Sequence, residues 1–304
     1  MAKPHIGKPR IFIDGEHGTT GLQIRERLGP RDDIELLEIA FEERRDASRR
    51  ERLLREADFA ILCLPDDASR QAAAMVERHG TRLIDASTAH RTHPDWVFGF
   101  AELTAGQRAK IASADRVANP GCYSTGAIAL VRPLTEAGAL PRDARLSINA
   151  VSGYSGGGKG MIADMESGAI DAPVFFYATG LAHKHLPEMR TYGLLEHAPI
   201  FTPSVGRFHN GMVVQLPLHL EPLDLTRERV HEALADHYAG QDVVDVAPLE
   251  NVDRVDPTGM NGTDRMRLHV FGNDAQVNLV AVLDNLGKGA SGACVQDLDI
   301  MMGR

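Results

Sequence analysis

Cysteine is scarce in this chain: Cys63, Cys122 and Cys294 are the only three in 304 residues, far apart and odd in number. That excludes a disulfide framework and a cysteine-based zinc cluster, and no metal is expected. It fits a reducing cytoplasm, where a thiolate stays available. Positive charge is also short, with 33 Lys and Arg against 42 Asp and Glu and a net charge of −9. Such a balance argues against a nucleic acid or an anionic membrane as partner, though a few local arginines still suffice for a small anionic substrate. No apolar run approaches the length of a membrane span. The basic start, Met1 to Arg10, leads into a short strand and not into the apolar core of a signal peptide. Internal repeats and low-complexity segments are absent too. What remains is an ordinary globular composition, 43% hydrophobic and 25% charged, at a length that suggests two domains or one large one.

The stretch around which the chain is organised is Ala118-Asn119-Pro120-Gly121-Cys122-Tyr123-Ser124-Thr125-Gly126. Asn119, Pro120 and Gly121 are turn residues. From Ser124 onward the residues are small or apolar, with no proline before Pro133, so at least two helical turns fit. Cys122 then lies in the first turn, where backbone N–H groups and the helix dipole favour a thiolate and can hold an oxyanion. The plainer alternative is a small buried cysteine closing a turn.

Upstream, apolar runs at 10–14, 34–40, 59–64 and 82–87 read as buried strands, with helices between them and one from Ala68 to about His79. This βαβ alternation implies a parallel sheet covered on both faces. The first strand runs into Gly15-Glu16-His17-Gly18-Thr19-Thr20-Gly21 and then an amphipathic helix carrying Leu22, Ile24 and Leu28. Strand, glycine turn and helix make a cradle for a pyrophosphate, although the spacing G-x-x-G-x-x-G is not the usual one. A tight turn without a ligand is the alternative. At the end of the second strand Glu38 suits a ribose 2′-OH, whereas Arg44 and Arg45 suit the 2′-phosphate of NADP. Both readings compete with a solvated charge run, 42–46. Cys63, inside an apolar strand, reads as core. Ser87 and Arg91 follow the fourth strand at its carboxyl end, and Arg91 is a candidate for a substrate carboxylate or phosphate.

After the cysteine helix the pattern changes. Segments 144–151, 213–220, 266–271 and 276–282 read as longer strands of a second, mixed sheet. Gly153 to Lys159 nearly matches a nucleotide-triphosphate loop, but Gly160 stands where that motif needs Ser or Thr for magnesium. The pair His183 and His185, followed by Glu188, suits acid–base chemistry better than metal binding, with Glu188 in reach to orient an imidazole. A pair of polar loop histidines is the alternative. The run 284–293 is glycine-rich and admits close approach of another group.

Several of these motifs, in this order, resemble the N-acetyl-gamma-glutamyl-phosphate reductase family in its short form. They are Gly15-x-x-Gly18-x-x-Gly21, Asp85-Ala86-Ser87 with Arg91, Asn119-Pro120-Gly121-Cys122-Tyr123, Ser152-Gly153-Tyr154-Ser155-Gly156, His185-Leu186-Pro187-Glu188 and Asp284-Asn285-Leu286-Gly287-Lys288-Gly289-Ala290-Ser291-Gly292. More broadly the chain resembles the aspartate-semialdehyde dehydrogenase superfamily. The cofactor loop departs from the Gly-Ala-Ser-Gly of longer members. The resemblance implies an α/β fold: a Rossmann-type NADP-binding domain, 1–120, with 285–304 packing back on it, and an α+β catalytic and oligomerisation domain, 121–284. It implies NADPH-dependent reduction of an acyl phosphate to an aldehyde in arginine biosynthesis, by a cytoplasmic homo-oligomer, dimer or tetramer. Cys122 is the expected nucleophile and His185, ahead of His183, the acid–base. Cofactor binding is expected at Gly15, Gly18, Thr19, Thr20, Gly21, Arg44, Arg45, Ser87, Gly156, Asn285 and Lys288. Substrate binding is expected at Arg91, Asn119, Ser152, His183 and Glu188. A reductase of another acyl phosphate, such as aspartyl phosphate, and a nucleotide-binding redox sensor are the competing functions.

Overall fold

Successive residues of the first strand, β1 (Arg10–Asp14), bury to opposite sides: Ile11 and Ile13 enter one apolar cluster and Phe12 another. The same alternation recurs in β3 (Phe59–Leu62), whose Phe59 and Ile61 join the first cluster and Ala60 and Leu62 the second. A strand apolar on both faces must be covered on both, which is the condition of a parallel sheet in an α/β fold. The computed structural model describes residues 7–304 and divides them into two compact units.

The first unit runs to Ala101 and adds Gly106–Pro120 and Ala290–Arg304. Its elements are β1, α1 (Thr19–Leu28), β2 (Glu35–Leu37), α2 (Ala47–Glu56), β3, α3 (Asp66–Met75), β4 (Arg82–Asp85), β5 (Val97–Phe98), α4 (Gln107–Ser113), β6 (Arg116–Ala118) and a C-terminal helix, Gly292–Met301. All six strands are parallel, in the order β2-β1-β3-β4-β6-β5. The first apolar cluster takes Ile24 and Leu28 of α1, Ile111 of α4, and Cys294 and Leu298 of the C-terminal helix. The second takes Leu53 and Leu54 of α2 and Ala72 and Ala73 of α3. The C-terminal helix is fixed further by Asp299, which pairs with Arg31 at 2.7 Å, and by Arg82, which donates to the Met301 carbonyl. β2 is shorter than the run 34–40 predicts. It is an edge strand paired with β1 alone, and Glu38 turns aside to Arg25.

The second unit comprises Glu102–Ala105 and Gly121–Gly289. Its elements are α5 (Cys122–Glu136), β7 (Ser147–Gly153), α6 (Gly158–Ser167), β8 (Val174–Phe176), α7 (Leu186–Tyr192), β9 (Ile200–Gly206), β10 (Met212–His219), α8 (Arg227–His237), β11 (Val244–Val246), β12 (Met266–Gly272) and β13 (Gln276–Leu283). The sheet is mixed, in the order β11-β12-β13-β10-β7-β9-β8, with β11–β12 and β7–β9 parallel and the rest antiparallel. Helix α5 packs on β10 and β13. It approaches closely at Gly126, where a Cβ would lie 2.7 Å from Val214 Cγ2.

Helix α5 does not end at Pro133 but runs through it to Glu136. Proline has no N–H, so the Ala129 carbonyl one turn back loses its usual donor. Tyr238, just past α8, replaces it: its buried hydroxyl donates to that carbonyl at 3.0 Å. The helix that begins with Cys122 is thereby continuous for fifteen residues.

Candidate active site

In the first unit, β1 ends at Asp14 and the glycine loop begins. Gly15 has φ +93°, and a Cβ there would run into the Cys63 backbone, 2.9 Å from its carbonyl carbon. The Gly18 N–H closes the turn on the Gly15 carbonyl at 3.0 Å. At Gly21 a Cβ would fall 2.8 Å from Glu16 Cα, so α1 passes close under the loop. No acidic side chain lies in the first turn of α1 and no side chain caps it. Thr19, its first residue, has a buried Oγ1 without a hydrogen-bond partner among the described residues. An uncapped helix start with an orphaned hydroxyl fits a phosphate ligand, and the pyrophosphate of a dinucleotide meets the requirement.

Around this loop the charges are mostly paired. Arg50 of α2 forks onto Asp14, with Nη2 to Oδ2 at 2.7 Å. Arg25 of α1 pairs with Glu16 and, through Nη2, with Glu38 Oε1 at 2.6 Å. Both carboxylates, Glu16 first, push the guanidinium further into its charged range. Arg44 lies over the Phe41 ring, 3.4 Å from its centroid, and donates to the Phe41 carbonyl. Arg45 is exposed. Sequence reasoning missed Glu16 and Arg25, because Arg25 on α1 joins Glu16 of the loop to Glu38 just past β2, and no local pattern shows that link.

At the end of β4, Asp85 is fully buried and gathers the Ser69, Ser87 and His90 side chains. The His90 ring stacks on Trp96 at 4.0 Å. Ser87, expected at the cofactor, donates both its N–H and its hydroxyl to Asp85. Arg91 is buried as well, its Nε donating to the Asn119 carbonyl at 3.0 Å and Nη2 to the Ala86 carbonyl at 3.2 Å. Asn119 donates through Nδ2 to the Ala290 carbonyl, while its buried Oδ1 has no partner among the described residues.

In the second unit, Gly121 is the N-cap of α5 and Cys122 its first residue, half-buried. Glycine has no side chain to cap the helix, so the first-turn amides are left to other partners. The Ser124 and Thr125 hydroxyls both donate to the Gly121 carbonyl at 2.9 Å, holding the turn. The Gly121 N–H donates to Glu188 Oε2 at 3.0 Å. Glu188 is 1% exposed and stands in the first turn of α7, the helix that His185 heads as N-cap. One carboxylate therefore ties the start of the cysteine helix to the start of the histidine helix. Glu188, expected near an imidazole, also accepts from the Gly121 amide.

His183 and His185 meet edge to face, ring centroids 4.6 Å apart. The His185 backbone N–H donates to His183 Nδ1 at 3.1 Å, and His183 Nε2 lies 3.2 Å from the Tyr177 hydroxyl. A backbone amide only donates, so Nδ1 is the acceptor and the ring proton of a neutral His183 belongs on Nε2, toward Tyr177. Burial pushes the Tyr177 hydroxyl up to about 12. Tyr123 packs against both imidazoles and Phe201; its hydroxyl donates to the Ser204 carbonyl at 2.9 Å, and burial raises its pKa strongly.

Other expected residues have internal partners. Asn285 accepts from the Gly211 N–H at 2.8 Å and donates to Ser155 Oγ at 2.9 Å. Ser152 is buried and donates to the Gly153 carbonyl. Lys288, 1% exposed, pairs with the buried Glu102 at 2.6 Å. It lies on a π turn, Gly287–Ser291, whose Gly289 backs Cys122: a Cβ there would lie 2.9 Å from Cys122 Cβ. Gly156 is exposed in a 3-10 turn, 154–157, between β7 and α6, and Lys159 is exposed beyond it. Among the described residues no group of three or more metal-ligating side chains assembles, and no helix is long and apolar enough to cross a membrane.

A dinucleotide cradle on a parallel sheet, followed by a cysteine opening a helix over a mixed sheet, is the plan of a semialdehyde dehydrogenase. Residues 36–113 match the family described as semialdehyde dehydrogenase, NAD binding domain, and residues 122–285 match semialdehyde dehydrogenase, dimerisation domain. Within it, the chain belongs to the N-acetyl-gamma-glutamyl-phosphate reductase family. It is 59% identical to the reductase of that name from Brucella anthropi, over 98% of this chain and 99% of that one. Among solved structures it is similar to aspartate semialdehyde dehydrogenase II of Vibrio cholerae complexed with ASA, with a TM-score of 0.71 at 16% identity over 97% of this chain and 98% of that one. The aspartate semialdehyde dehydrogenase of Candida albicans with NADP gives a TM-score of 0.68 at 15% identity over 97% and 99%. At those identities the likeness establishes the fold.

Proposed function

We propose that the chain reduces N-acetyl-gamma-glutamyl phosphate to N-acetylglutamate semialdehyde and phosphate, with NADPH as reductant and a thioester on Cys122. What supports this is a nucleophile at the first position of a buried helix, joined through Glu188 to the helix headed by His185. Relatives named for this activity match along the whole chain.

The Cys122 thiolate attacks the acyl carbonyl carbon, and the amides of the first turn of α5 stabilise the oxyanion. The bond from carbon to the phosphate oxygen breaks, inorganic phosphate leaves with the electron pair, and the thioester remains. Covalent catalysis of this kind divides one difficult step into two. When bound, the nicotinamide cofactor supplies the hydride for the thioester carbon. His185 gives a proton to the oxygen of the resulting thiohemiacetal and takes it back as the carbon–sulfur bond breaks, which restores the thiolate. His183, engaged at both ring nitrogens, is a positioning residue that holds the His185 backbone. Glu188 is a second, fixing Gly121. The loop Gly15 to Gly21 with Thr19 and Thr20 holds the pyrophosphate, and Arg45, beside Arg44, is available to the 2′-phosphate. Arg91 holds the Asn119 turn, whose Oδ1 is an acceptor for a ligand N–H. We assign the working form to a homo-oligomer, built through the 122–285 domain, in the cytoplasm.

The test is the reverse reaction. NADP reduction should require both N-acetylglutamate semialdehyde and phosphate. Equal turnover of aspartate semialdehyde would move the assignment to another acyl phosphate, and no turnover of either would leave a redox sensor.

A further inference from the structure

Two carboxylates share one guanidinium at the adenosine end of the cradle. Arg25 sits in the second turn of α1, and Glu38 follows β2 directly, twenty positions after Gly18. That is the place at which an acidic residue takes the ribose 2′-OH in NAD-binding folds of this topology. The two partners of Arg25 differ in their surroundings. The Glu16 side chain is 8% exposed and Glu38 70% exposed. Removing a buried partner leaves an uncompensated charge, whereas an exposed ion pair contributes little. Arg25 is therefore tied to Glu16, and Glu38 is the partner that can leave. Both Arg25 and Glu38 line an open groove with Leu22 and Leu36.

We propose that the Arg25–Glu38 pair sets cofactor choice and gives the chain a site for NADH as well as NADPH. This rests on the nucleotide reading of the cradle above. With NADH, Glu38 keeps Oε1 on Arg25 and offers Oε2 to the ribose 2′-OH. With NADPH, the 2′-phosphate displaces Glu38 and takes over Nη2 of Arg25. The other nearby cations do not duplicate this role: Arg44 is held by Phe41 and Arg49 by Glu43, which leaves Arg45 as an exposed contributor to phosphate binding only. A carboxylate in contact with the phosphate-binding guanidinium lowers NADPH affinity and supports NADH, so the two bind within a narrow range.

The experiment is equilibrium titration of the wild type and of Glu38→Gln with NADPH, NADH, 2′,5′-ADP and 5′-ADP, followed by nicotinamide fluorescence or calorimetry. Glu38 is exposed, so the variant is expected to fold as the wild type. Wild-type dissociation constants for NADPH and NADH should lie within about tenfold, and loss of one adjacent negative charge should tighten NADPH and 2′,5′-ADP by roughly tenfold while NADH weakens severalfold. A wild-type preference above roughly a hundredfold, about 2.7 kcal/mol, overturns dual use, and a ratio unmoved by Glu38→Gln overturns the role of Glu38. Binding of neither cofactor would overturn the nucleotide reading itself, and this inference with it.

Discussion

Replacing Tyr238 with Phe removes one hydroxyl from the interior, and the outcome depends on Pro133. In the wild type the hydroxyl is the donor to the Ala129 carbonyl, which Pro133 cannot serve. Tyr238 is 3% exposed, so the carbonyl would be left without water as well as without its donor. An unmet buried carbonyl costs about 1–3 kcal/mol, and Tyr238→Phe should lose that much in urea unfolding. In a Pro133→Ala background the residue at 133 regains an N–H and bonds Ala129 within the helix. There Tyr238→Phe should cost only a few tenths of a kcal/mol, since its ring still fills the same space. The cycle of four proteins should therefore show a coupling of about 1–2 kcal/mol between positions 133 and 238. An equal loss in both backgrounds would refute the account of how α5 crosses a proline.

Lys288→Met should destabilise by about 3–5 kcal/mol because Glu102 stays buried without the Lys288 ammonium, and Lys288→Met with Glu102→Met should recover most of it in the same urea assay. Burial lowers the pKa of His237 and of His269 below the ordinary 6.5. A folded value below the unfolded one means that the unfolded chain binds the extra proton first. Stability should thus be full above about pH 6.5 and fall as the pH drops through the lowered values, and His237→Gln should flatten that fall in thermal melts at pH 5 to 7. His185→Asn should lower turnover by about a hundredfold or more and flatten its pH profile while Cys122 still alkylates; the same loss from His183→Asn alone would exchange the two roles.

The parallel sheet was legible because its strands are continuous apolar runs between helices, and the mixed sheet because β10, β12 and β13 are long and rich in branched residues. The cysteine turn was legible because Asn119, Pro120, Gly121 and Cys122 are adjacent. What could not be read depends on pairs remote in sequence. Pro133 looks like a helix end until Tyr238, 105 positions later by number, supplies the missing donor. Lys288 looks like a free cation at a glycine loop until Glu102 is found beside it. Glu188, three residues after His185, also accepts from the Gly121 amide, 67 positions earlier, which no local pattern shows. In each case local pattern placed the element, and a long-range hydrogen bond added a partner that no local pattern carries.

The central claim is that Cys122 carries the acyl group, and a pre-steady-state measurement tests it most directly. The enzyme is mixed with N-acetyl-gamma-glutamyl phosphate in the absence of reduced cofactor, and released phosphate and protein mass are followed together. The account predicts a burst of about one phosphate per active site and an acyl adduct on the peptide containing Cys122, both absent in Cys122→Ser. A phosphate burst of the same size in Cys122→Ser, or an adduct on another residue, would contradict it.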